Sequence, residues 1–579
     1  MELRQARTAA LAVALACGLL AAAPAPVSAQ EAETRSQAVR PDATLTRPSS
    51  PTRPPRDHFL NAVQAARIAV RSAKLRDELR QHDNVRRQTF AKGPGRWQVS
   101  WYAGGDEVAQ VIVDERQGRA VEVWTGPQVA WQMARGTEGA FGRKVNAPQV
   151  WIPLALAFFI PFFDPRRPLR LVHLDLLVLL SFSISHVYFN RGEIFTSVPL
   201  VYPVLAYLLV RMLMLGRAHR APRPPPFLLV PATWLLLGLI FLIGFRVGLN
   251  LTNSNVIDVG YSGVIGADRI TDGSDLYGAF PEDNRAGDTY GPVNYYAYTP
   301  FEQIFPWSGS WDDLPAAHAA ALAFDLLTMV ALFFAGRMLR AGREGNVLGL
   351  VFAYAWAAFP YTLFVLNSNA NDSLIALLVT VAFLLLAHPR ARGAALALAA
   401  SAKFAPLALV PLWASYDRRR LRDAIAFSLA FGATVVLAFA LVVPDGGVRE
   451  LWDRTIGFQL GRESPFSIWG QEDLGPLQDM VKCAALLLAA ALFFVPKEKS
   501  KLQVAAFGAA VLIAMQLSLS HWFYLYVVWW LPLAVIALLG TTASPRPEPS
   551  PVRTTAPARS LSSRSERPSP IRRLWPFRT

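Results

Sequence analysis

The feature that most constrains this chain is a series of long apolar runs. From residue 148 onwards, runs of about 15 to 23 apolar residues alternate with short polar connections. A globular core would scatter its apolar residues at a period of 2 or 3.6, whereas a run of about 20 matches the thickness of a bilayer. Hydrophobic residues make up 53% of the chain and charged residues only 17%. Most of the chain is therefore predicted to lie in lipid.

The apolar runs predict eleven membrane-spanning helices. Their bounds are 148–163, 171–189, 197–215, 227–249, 315–336, 347–366, 373–388, 424–443, 479–495, 502–519 and 522–541. A further apolar stretch, 394–415, has basic residues at both ends. It is predicted to be a re-entrant pair of half-helices that turns near residues 403–406. The predicted fold class is thus an all-α polytopic membrane protein with about eleven spans plus a re-entrant hairpin.

The basic residues indicate how the spans are oriented. The formal net charge is +15, but the Arg and Lys residues lie mainly in short connections and in the tail. Cytoplasmic connections carry an excess of such residues, and a chain with eleven spans that starts outside must end inside. Four predicted inner connections agree and contain Arg166, Arg167 and Arg170; Arg217, Arg220 and Arg223; Arg337, Arg340 and Arg343; and Lys497, Lys499 and Lys501. Topology explains the charge, and no nucleic-acid partner is predicted.

Both ends of the chain are predicted to lie outside the folded core. Residues 1–29 are typical of a secretory signal peptide cleaved after Ala29, although a lipobox ending at Cys17 is an alternative. The other cysteine is Cys483, so neither a disulfide framework nor a Cys-based zinc site is predicted. Residues 30–56 are predicted to be a disordered linker, and 542–579 a disordered basic cytoplasmic tail lying against anionic lipid.

Residues 57–146 predict a small extracytoplasmic α+β module. Helical periodicity covers 61–81, and strands are predicted at 96–102, 108–114 and 120–124. The segment VIVDERQGRAVEVW, placed after a helix, resembles a PepSY-like domain, which would imply a binding or regulatory role. The alternative is a packing module without a ligand. Residues 147–226 would then form accessory transmembrane helices, and 227–541 the membrane core.

Two connections on the predicted outer side are unusually long. We name residues 250–314 the first long loop and residues 444–478 the second long loop. Linkers between spans are usually short, so long ones tend to carry function. Asp258 lies about nine residues beyond the end of a predicted span, and polar and apolar residues follow it at helical spacing. Asp258 is therefore predicted to begin a helix at the level of the lipid headgroups.

A set of motifs then occurs in a recognisable order. An Asp soon after a span precedes a GSDLY turn, a YGP segment, NSNANDSLIALLV and RGAALALAASAKFAPLALVPL, and GRESPFSIWG and SHWFYLYVVWWLP follow. Together they resemble glycosyltransferase family 87, the polyprenol-phosphate-mannose-dependent mannosyltransferases of the GT-C type. The likeness covers roughly residues 227–541. The spans and the module before this core depart from the simplest family pattern, which would imply a regulated or fused variant.

The resemblance implies an enzyme and a catalytic base. The enzyme would transfer a hexose, which the resemblance implies to be mannose, from a polyprenyl-phosphate donor to a glycolipid or polysaccharide acceptor at the outer face of the cytoplasmic membrane. It would invert the anomeric carbon and need no cofactor. By matching position, Asp258 would take the proton from the acceptor hydroxyl. Asp268 and Asp275 are the next candidates, and the alternative for Asp258 is a solvated helix cap.

The leaving polyprenyl phosphate calls for fixed positive charge. Lys403 lies in an otherwise apolar hairpin, where a lone charge costs about 2.5–3.5 kcal/mol, so an anionic partner is predicted: the donor phosphate or a buried acid. Arg454 and Arg462 on the second long loop are alternative phosphate ligands or ordinary loop residues. His521, between the last two spans, either bonds the phosphate or a sugar hydroxyl or belongs to an interfacial aromatic belt.

Other polar and aromatic residues permit two interpretations. Aromatic side chains crowd the first long loop and either face sugar rings or anchor the loop on the membrane: Tyr290, Tyr295, Tyr296, Tyr298, Trp307 and Trp311. The turn at 367–372 is explained by the preference of Asn and Asp for turns and caps. Asp325, in mid-span, is predicted to be half of a buried polar pair or a structural acceptor. The sequence has no metal-ligand cluster, Gly-rich phosphate loop or nucleophile elbow, so no obligatory metal is predicted.

Two other functional classes compete with the enzyme. A transporter or flippase of lipid-linked sugars would also have many spans and buried charges. Such proteins usually show internal repeats and sites at mid-membrane, whereas no clear repeat occurs here and the polar residues gather at the predicted outer interface. A sensor, in which the amino-terminal module binds a ligand and the spans transmit, is opposed by the motifs from residue 227 onwards.

Overall fold

The structure is a computed structural model. It describes residues 45–130, 132–135, 141–218, 227–281, 284–416, 421–462, 464–472 and 474–540. The predicted signal peptide, the first part of the predicted linker and the predicted cytoplasmic tail lie outside the described residues.

The amino-terminal module contains a five-stranded antiparallel sheet. The strands follow one another in the order β1-β2-β3-β4-β5. They are β1 Leu45–Thr46, β2 Arg86–Lys92, β3 Arg96–Ala103, β4 Asp106–Asp114 and β5 Arg119–Thr125. The three strands predicted from alternation correspond to β3, β4 and β5. The sequence prediction missed β2, and β1 lies inside the segment predicted to be a linker.

Two short helices cover one face of this sheet. They are α1 Ala62–Ala69 and α2 Ala73–Leu79, and they pack on the alternate residues Trp97, Val99 and Trp101 of β3. The helical periodicity predicted over 61–81 is confirmed, but it is divided between two helices. Ser72 interrupts it, because its backbone is extended and its side chain accepts a hydrogen bond from the Leu75 amide, which starts a new helix.

From residue 127 onwards the described regular elements are all helices. The helices are α3 Pro127–Ala130, α4 Pro148–Phe159, α5 Leu171–Phe189, α6 Ile194–Arg217, α7 Ala232–Thr252, α8 Asp258–Thr271, α9 Pro292–Tyr296, α10 Thr299–Ile304, α11 Pro315–Leu339, α12 Gly342–Ala358, α13 Pro360–Asn367, α14 Asp372–Leu384, α15 Pro389–Ala402, α16 Val410–Ala414, α17 Leu421–Ala440, α18 Gly447–Trp452, α19 Phe458–Gly461, α20 Ile468–Gln471, α21 Gly475–Phe494, α22 Lys501–Leu517 and α23 Val527–Leu539.

The described helices have the architecture of a multi-pass membrane protein, with fewer long spans than predicted. Six of them, α5, α6, α7, α11, α17 and α21, are long and apolar enough to cross a membrane. A seventh span results if α12 and α13 are counted together, although they are bent by 60°. The bend lies at Pro360, because a proline lacks the amide hydrogen and holds the residue before it in an extended conformation. The predicted count of eleven was therefore too high.

The four remaining predicted spans correspond to shorter apolar helices. These are the segments Pro148–Phe162, Asp372–Leu384, Lys501–Leu517 and Tyr524–Leu539. Nearly every residue of α22 and α23 is buried in protein. A helix that is apolar all round because protein surrounds it has the same composition as one surrounded by lipid, but it need not be about 20 residues long. Counting apolar residues alone could not separate the two cases.

The helix connections fall at two ends that differ in charge. At one end Lys501 donates to the Met338 carbonyl (3.4 Å), and Gln503 donates to the Gly216 carbonyl (2.9 Å). These contacts join three of the connections in which the sequence places Arg or Lys. We call this the basic end. Asp258 and the two long loops lie at the opposite end, which we call the Asp258 end.

The predicted hairpin is present and spans the distance between these ends. α15 runs from the basic end to Lys403, and a 3-10 turn at Ala405–Leu409 and α16 return the chain. Arg392, near the start of α15, donates to the Tyr416 carbonyl just after α16 (2.9 Å). The two arms of the hairpin therefore start and finish together, and Lys403 lies at its tip.

The predicted buried partner of Asp325 is Arg246 of α7. The guanidinium donates Nε to one carboxylate oxygen at 3.0 Å and Nη2 to the other at 2.5 Å. Both side chains are at most 1% exposed. Trp356 also donates its indole N–H to Asp325 (2.8 Å), and Arg246 donates to Thr362 (3.1 Å). The bidentate pair joins α7, α11 and the α12–α13 bend.

Replacing Asp325 by leucine should destabilise the protein strongly, because it leaves the Arg246 charge buried and unpaired. The expected loss is about 3–5 kcal/mol of unfolding free energy, measured by thermal unfolding of the purified protein in detergent. The double variant Arg246→Met/Asp325→Leu should recover most of that loss. Glu344→Gln, at a pair whose acid is 74% exposed, is the control. A Tm for Asp325→Leu equal to that of the control would contradict the role of the pair.

Candidate functional site

Asp258 is the first residue of α8, and the turn after α13 holds the chain just before it. The Ile257 amide donates to the Ser368 carbonyl (3.2 Å), and the Asn369 side-chain amide donates to the Asn255 carbonyl (2.9 Å). Asn369 and Ser368 are fully buried. The segment that leads to Asp258 is thus hydrogen-bonded to a buried turn, which fixes where α8 begins.

Gly260 allows α8 to lie directly on that turn. A Cβ at this position would lie 2.2 Å from the backbone carbonyl oxygen of Asn369. No side chain can be accommodated at such a distance, so only glycine lets the first turn of α8 approach the 367–369 backbone so closely. The position of Asp258 therefore depends on a glycine two residues away.

The Asp258 carboxylate is accessible to solvent but partly desolvated by the protein around it. Its side chain is exposed to solvent, yet surrounding protein raises its pKa, and burial is the largest cause. A hydrogen bond from the Val259 amide and the positive charges of Arg462 and Lys403 oppose this increase. Solvent access together with desolvation is what a side chain on the wall of a deep cleft experiences. This environment favours a carboxyl group that takes up and releases protons nearer neutral pH.

Lys403, at the tip of the hairpin, is paired with a buried acid. Its ammonium lies 2.5 Å from Asp372 Oδ1. Three aromatic rings surround the same ammonium, with centroids at 5.4 Å for Tyr290, 5.7 Å for Tyr526 and 5.2 Å for Trp529. Trp529 also donates its indole N–H to Asp372 (2.6 Å). Of the two predicted partners for Lys403, the structure contains the buried acid, and four separate segments meet around this ion pair.

Asp372 was missed as a site residue by the sequence analysis. The preference of Asn for turns is confirmed at Asn369, which has a left-handed φ of +48°, but side-chain capping is not found in this turn. Asn371 is the N-cap residue of α14, but its side chain forms no capping hydrogen bond. It donates to Asn294 of the first long loop instead (2.7 Å). A signal was available: a lone lysine in an apolar hairpin requires an acid at the same depth, and Asp372 lies at the predicted outer end of a span.

Arg462 brings the second long loop to the same place. Its charge acts on Asp258, Tyr290 and His521. Among the described residues Arg462 has no hydrogen bond and no ion pair within 4.0 Å. A half-buried guanidinium beside an acid, with its donors uncommitted within that part of the chain, is suited to bind an anion.

His521 lies beside Arg462 and is uncharged at neutral pH. Its Nδ1 lies 2.7 Å from Ser464 Oγ, and its ring packs edge-on against Phe466. Burial lowers the pKa of His521 to about 3, and the charge of Arg462 contributes to this decrease. His521 can therefore donate or accept a hydrogen bond but supplies no positive charge for a phosphate.

These residues form one group, which we name the Asp258 cluster. Its members are Asp258, Tyr290, Asp372, Lys403, Arg462 and His521. They come from α8, the first long loop, α14, the hairpin tip, the second long loop and the connection between α22 and α23. Five of the six were predicted as site residues from the sequence.

Three predicted site residues are not part of the Asp258 cluster. Asp268 lies ten residues further along α8, which corresponds to about 15 Å. The pKa of Asp268 is raised, mainly by burial and then by neighbouring acids. Asp275 follows α8 in a loop, where its carbonyl accepts from Arg269 (2.6 Å). Arg454 belongs to a separate ionic network.

Most of the aromatic residues in the first long loop serve its own packing. Tyr295 is buried and donates to the Gly287 carbonyl (2.7 Å), and Tyr298 packs against Phe324 of α11. Trp311 stacks on Tyr261 of α8 with centroids 4.8 Å apart, and Trp307 contacts the same ring. Of the six predicted aromatic residues, Tyr290 is the one in the Asp258 cluster.

The amino-terminal module is connected to the segment before Asp258. After the module, the Gly142 amide donates to the Asn255 side chain (3.1 Å), and the Lys144 amide donates to the Asn253 side chain (3.0 Å). Gln128, following β5, donates to the Asn190 carbonyl at the end of α5 (2.9 Å). The module therefore lies at the Asp258 end, and its connector is bonded to the residues that position Asp258.

Neither a protein-family model nor a curated protein sequence matches this chain. Among the described residues, no group of three or more His, Cys, Asp or Glu side chains is placed to hold a metal ion. Function is therefore inferred from the chemistry of the Asp258 cluster itself.

Replacing Gly260 by alanine should lower stability, because the new methyl group would overlap the Asn369 carbonyl oxygen. The expected loss is about 1–3 kcal/mol, measured by thermal unfolding in detergent. Gly248→Ala is the matched control, since a Cβ at this position of α7 has nothing within 4 Å. That control should be neutral or stabilising. Equal stability of the two variants would show that α8 does not need the close approach.

Proposed function

We propose that this chain is an integral membrane glycosyltransferase of the GT-C type. It transfers a hexose, most simply mannose, from a polyprenyl-phosphate donor to a glycolipid or polysaccharide acceptor at the outer face of the cytoplasmic membrane. The observation that carries the proposal is the meeting of a solvent-accessible acid, Asp258, with the guanidinium of Arg462 at one end of an apolar helix bundle. A lipid-linked phosphosugar needs both groups, and the bundle would hold its polyprenyl chain in the membrane.

Asp258 acts as the general base in this reaction. Its carboxylate accepts the proton of the acceptor hydroxyl while the acceptor oxygen forms a bond to the anomeric carbon. The bond from that carbon to the phosphate oxygen breaks on the opposite side, and its electron pair leaves with the polyprenyl phosphate. Because burial raises the pKa of Asp258, the carboxylate is a stronger base than an ordinary aspartate, which supports this role.

Arg462 is the principal cation for the leaving phosphate. Lys403 is already neutralised by Asp372 at 2.5 Å, so that pair contributes little net charge. Arg462 has no such partner among the described residues, and its fork of donors matches phosphate oxygens. Lys403 and Asp372 instead hold the hairpin tip beside Asp258. His521, uncharged, supplies a hydrogen bond to the phosphate or to a sugar hydroxyl.

Replacing Asp258 by asparagine should strongly lower the rate of transfer while leaving the fold intact. The loss of a placed base lowers the rate by about 10²–10⁴. Membranes containing the wild type or the variant would be incubated with labelled polyprenyl-phosphate-mannose, and the label in glycan would be counted. Asp268→Asn, on the same helix, is the matched control and should retain activity.

Two outcomes would overturn the proposal. Undiminished transfer by Asp258→Asn would remove Asp258 as the base. Translocation of the sugar lipid across vesicles that contain no acceptor, without any transfer when an acceptor is supplied, would instead identify a flippase.

Replacing Arg462 by glutamine should move the pH dependence of the reaction. Arg462 lowers the pKa of Asp258, so its removal raises that pKa. Asp258 must be ionised to act as a base, and the acidic limb of the kcat profile should therefore shift to higher pH. The measurement is kcat against pH at saturating donor and acceptor. Arg454→Gln, on the same loop, should leave the limb where it is. If the acidic limb of Arg462→Gln were not shifted, Arg462 would have no electrostatic effect on Asp258.

A further inference from the structure

A second polar region lies between the two long loops, outside the Asp258 cluster. It consists of one cavity of about 660 Å³ and another of about 550 Å³. Glu450 and Arg454 border both cavities, so the two form one groove divided by this pair of side chains. Neither cavity is lined by Asp258, Lys403 or His521, and the proposed transfer reaction leaves the groove unexplained.

An ionic network lines this groove. Arg454 donates to Glu450 of the second long loop (2.7 Å) and to Asp288 of the first long loop (3.0 Å). Asp288 also accepts a hydrogen bond from the Gly278 amide (2.9 Å). Gly278 has φ +96°, and a Cβ there would come within 3.0 Å of the Arg454 guanidinium. Arg454, Glu450 and Asp288 thus connect the two long loops to each other.

The larger cavity is lined by equal numbers of basic and acidic side chains. These are Arg285, Arg449 and Arg454, and Asp288, Glu450 and Asp453. A phosphate or another anion would meet three carboxylates in this cavity. A neutral polyhydroxylated ligand would instead find donors and acceptors side by side, and Phe458 adds an apolar surface for the C–H groups of a sugar ring.

The groove leads towards the Asp258 cluster. Tyr277, which lines the smaller cavity, donates its hydroxyl to the Tyr290 carbonyl (3.1 Å). Asp288, which lines the larger cavity, precedes Tyr290 by two residues. Tyr290 in turn faces Lys403 with its ring centroid 5.4 Å from the ammonium. One short backbone segment is therefore shared by the groove and the cluster.

We propose that this groove binds a neutral oligosaccharide. Arg449 and Asp453 contribute hydrogen bonds to the sugar hydroxyls, and the network around Arg454 keeps the two walls in place. If the proposed function holds, this oligosaccharide is the body of the acceptor glycan, whose end reaches Asp258. The binding of the oligosaccharide itself does not depend on that function.

Binding is tested with the full chain in lipid nanodiscs and without any donor. The probes are linear mannotetraose, linear glucotetraose and inorganic pyrophosphate, and binding is followed by saturation-transfer NMR. At least one tetrasaccharide should bind, and pyrophosphate should not displace it. Arg449→Gln and Asp453→Asn should each weaken that binding about tenfold, the effect of one lost charge-assisted hydrogen bond. Arg343→Gln, an exposed arginine at the basic end, is the matched control and should bind normally.

Three outcomes would overturn the groove assignment: neither tetrasaccharide binds, pyrophosphate competes with it, or both groove variants bind as well as Arg343→Gln. The two proposals fail separately. If the wild type binds the tetrasaccharide but transfers no sugar, the groove assignment stands and the proposed glycosyltransferase function fails. If it transfers sugar but does not bind the tetrasaccharide, the proposed function stands and the groove assignment fails.

Discussion

The ion pair between Lys403 and Asp372 is the contact on which the arrangement of the Asp258 cluster depends. A lysine at the tip of an apolar hairpin is tolerated only with an acid beside it, and Asp372 at 2.5 Å is fully buried. The pair joins the hairpin tip to the start of α14, and Trp529 and Tyr290 add α23 and the first long loop. Breaking it would leave an uncompensated buried charge at the Asp258 end of the bundle, so the contact that stabilises this end also fixes residues of the Asp258 cluster.

The turn at 367–372 serves both the fold and the site. Its first half pairs with the segment before Asp258, and its second half supplies Asp372 to Lys403. The positions of Asp258 and Lys403 are therefore both set by contacts with the same few buried residues. This explains why both act electrostatically on each other although they are far apart in the sequence. A site with preset charges reorganises little during a reaction, which is where electrostatic catalysis gains most.

The sequence was sufficient to predict features that depend on a short segment of the chain alone. The helix that starts at Asp258 followed from helical spacing, the hairpin near Lys403 from basic residues at both ends of an apolar stretch, and the buried partner of Asp325 from the free-energy cost of a lone charge in a span. What it could not supply was distance. Arg454 and Arg462 lie on the same loop eight residues apart, yet one pairs with Asp288 and the other acts on Asp258. For α22 and α23 the excess of predicted spans has a similar origin, since helices surrounded by protein and by lipid have the same composition. The break at Ser72 was also missed, because a single cap overrides an otherwise continuous helical periodicity.

The connector of the amino-terminal module makes the position of Asp258 depend on more than the membrane helices. Asn255 accepts from the Gly142 amide through its side chain and from Asn369 through its carbonyl. A displacement of residues 141–146 would therefore displace residues 253–255, which are also hydrogen-bonded to the buried turn. Because α8 begins at Asp258, three residues after Asn255, a displacement of either contact would be transmitted to its first residue. The position of the Asp258 carboxylate thus depends on contacts with both the module's connector and the bundle. A domain bonded at this point is placed to influence the site without contributing a residue to it.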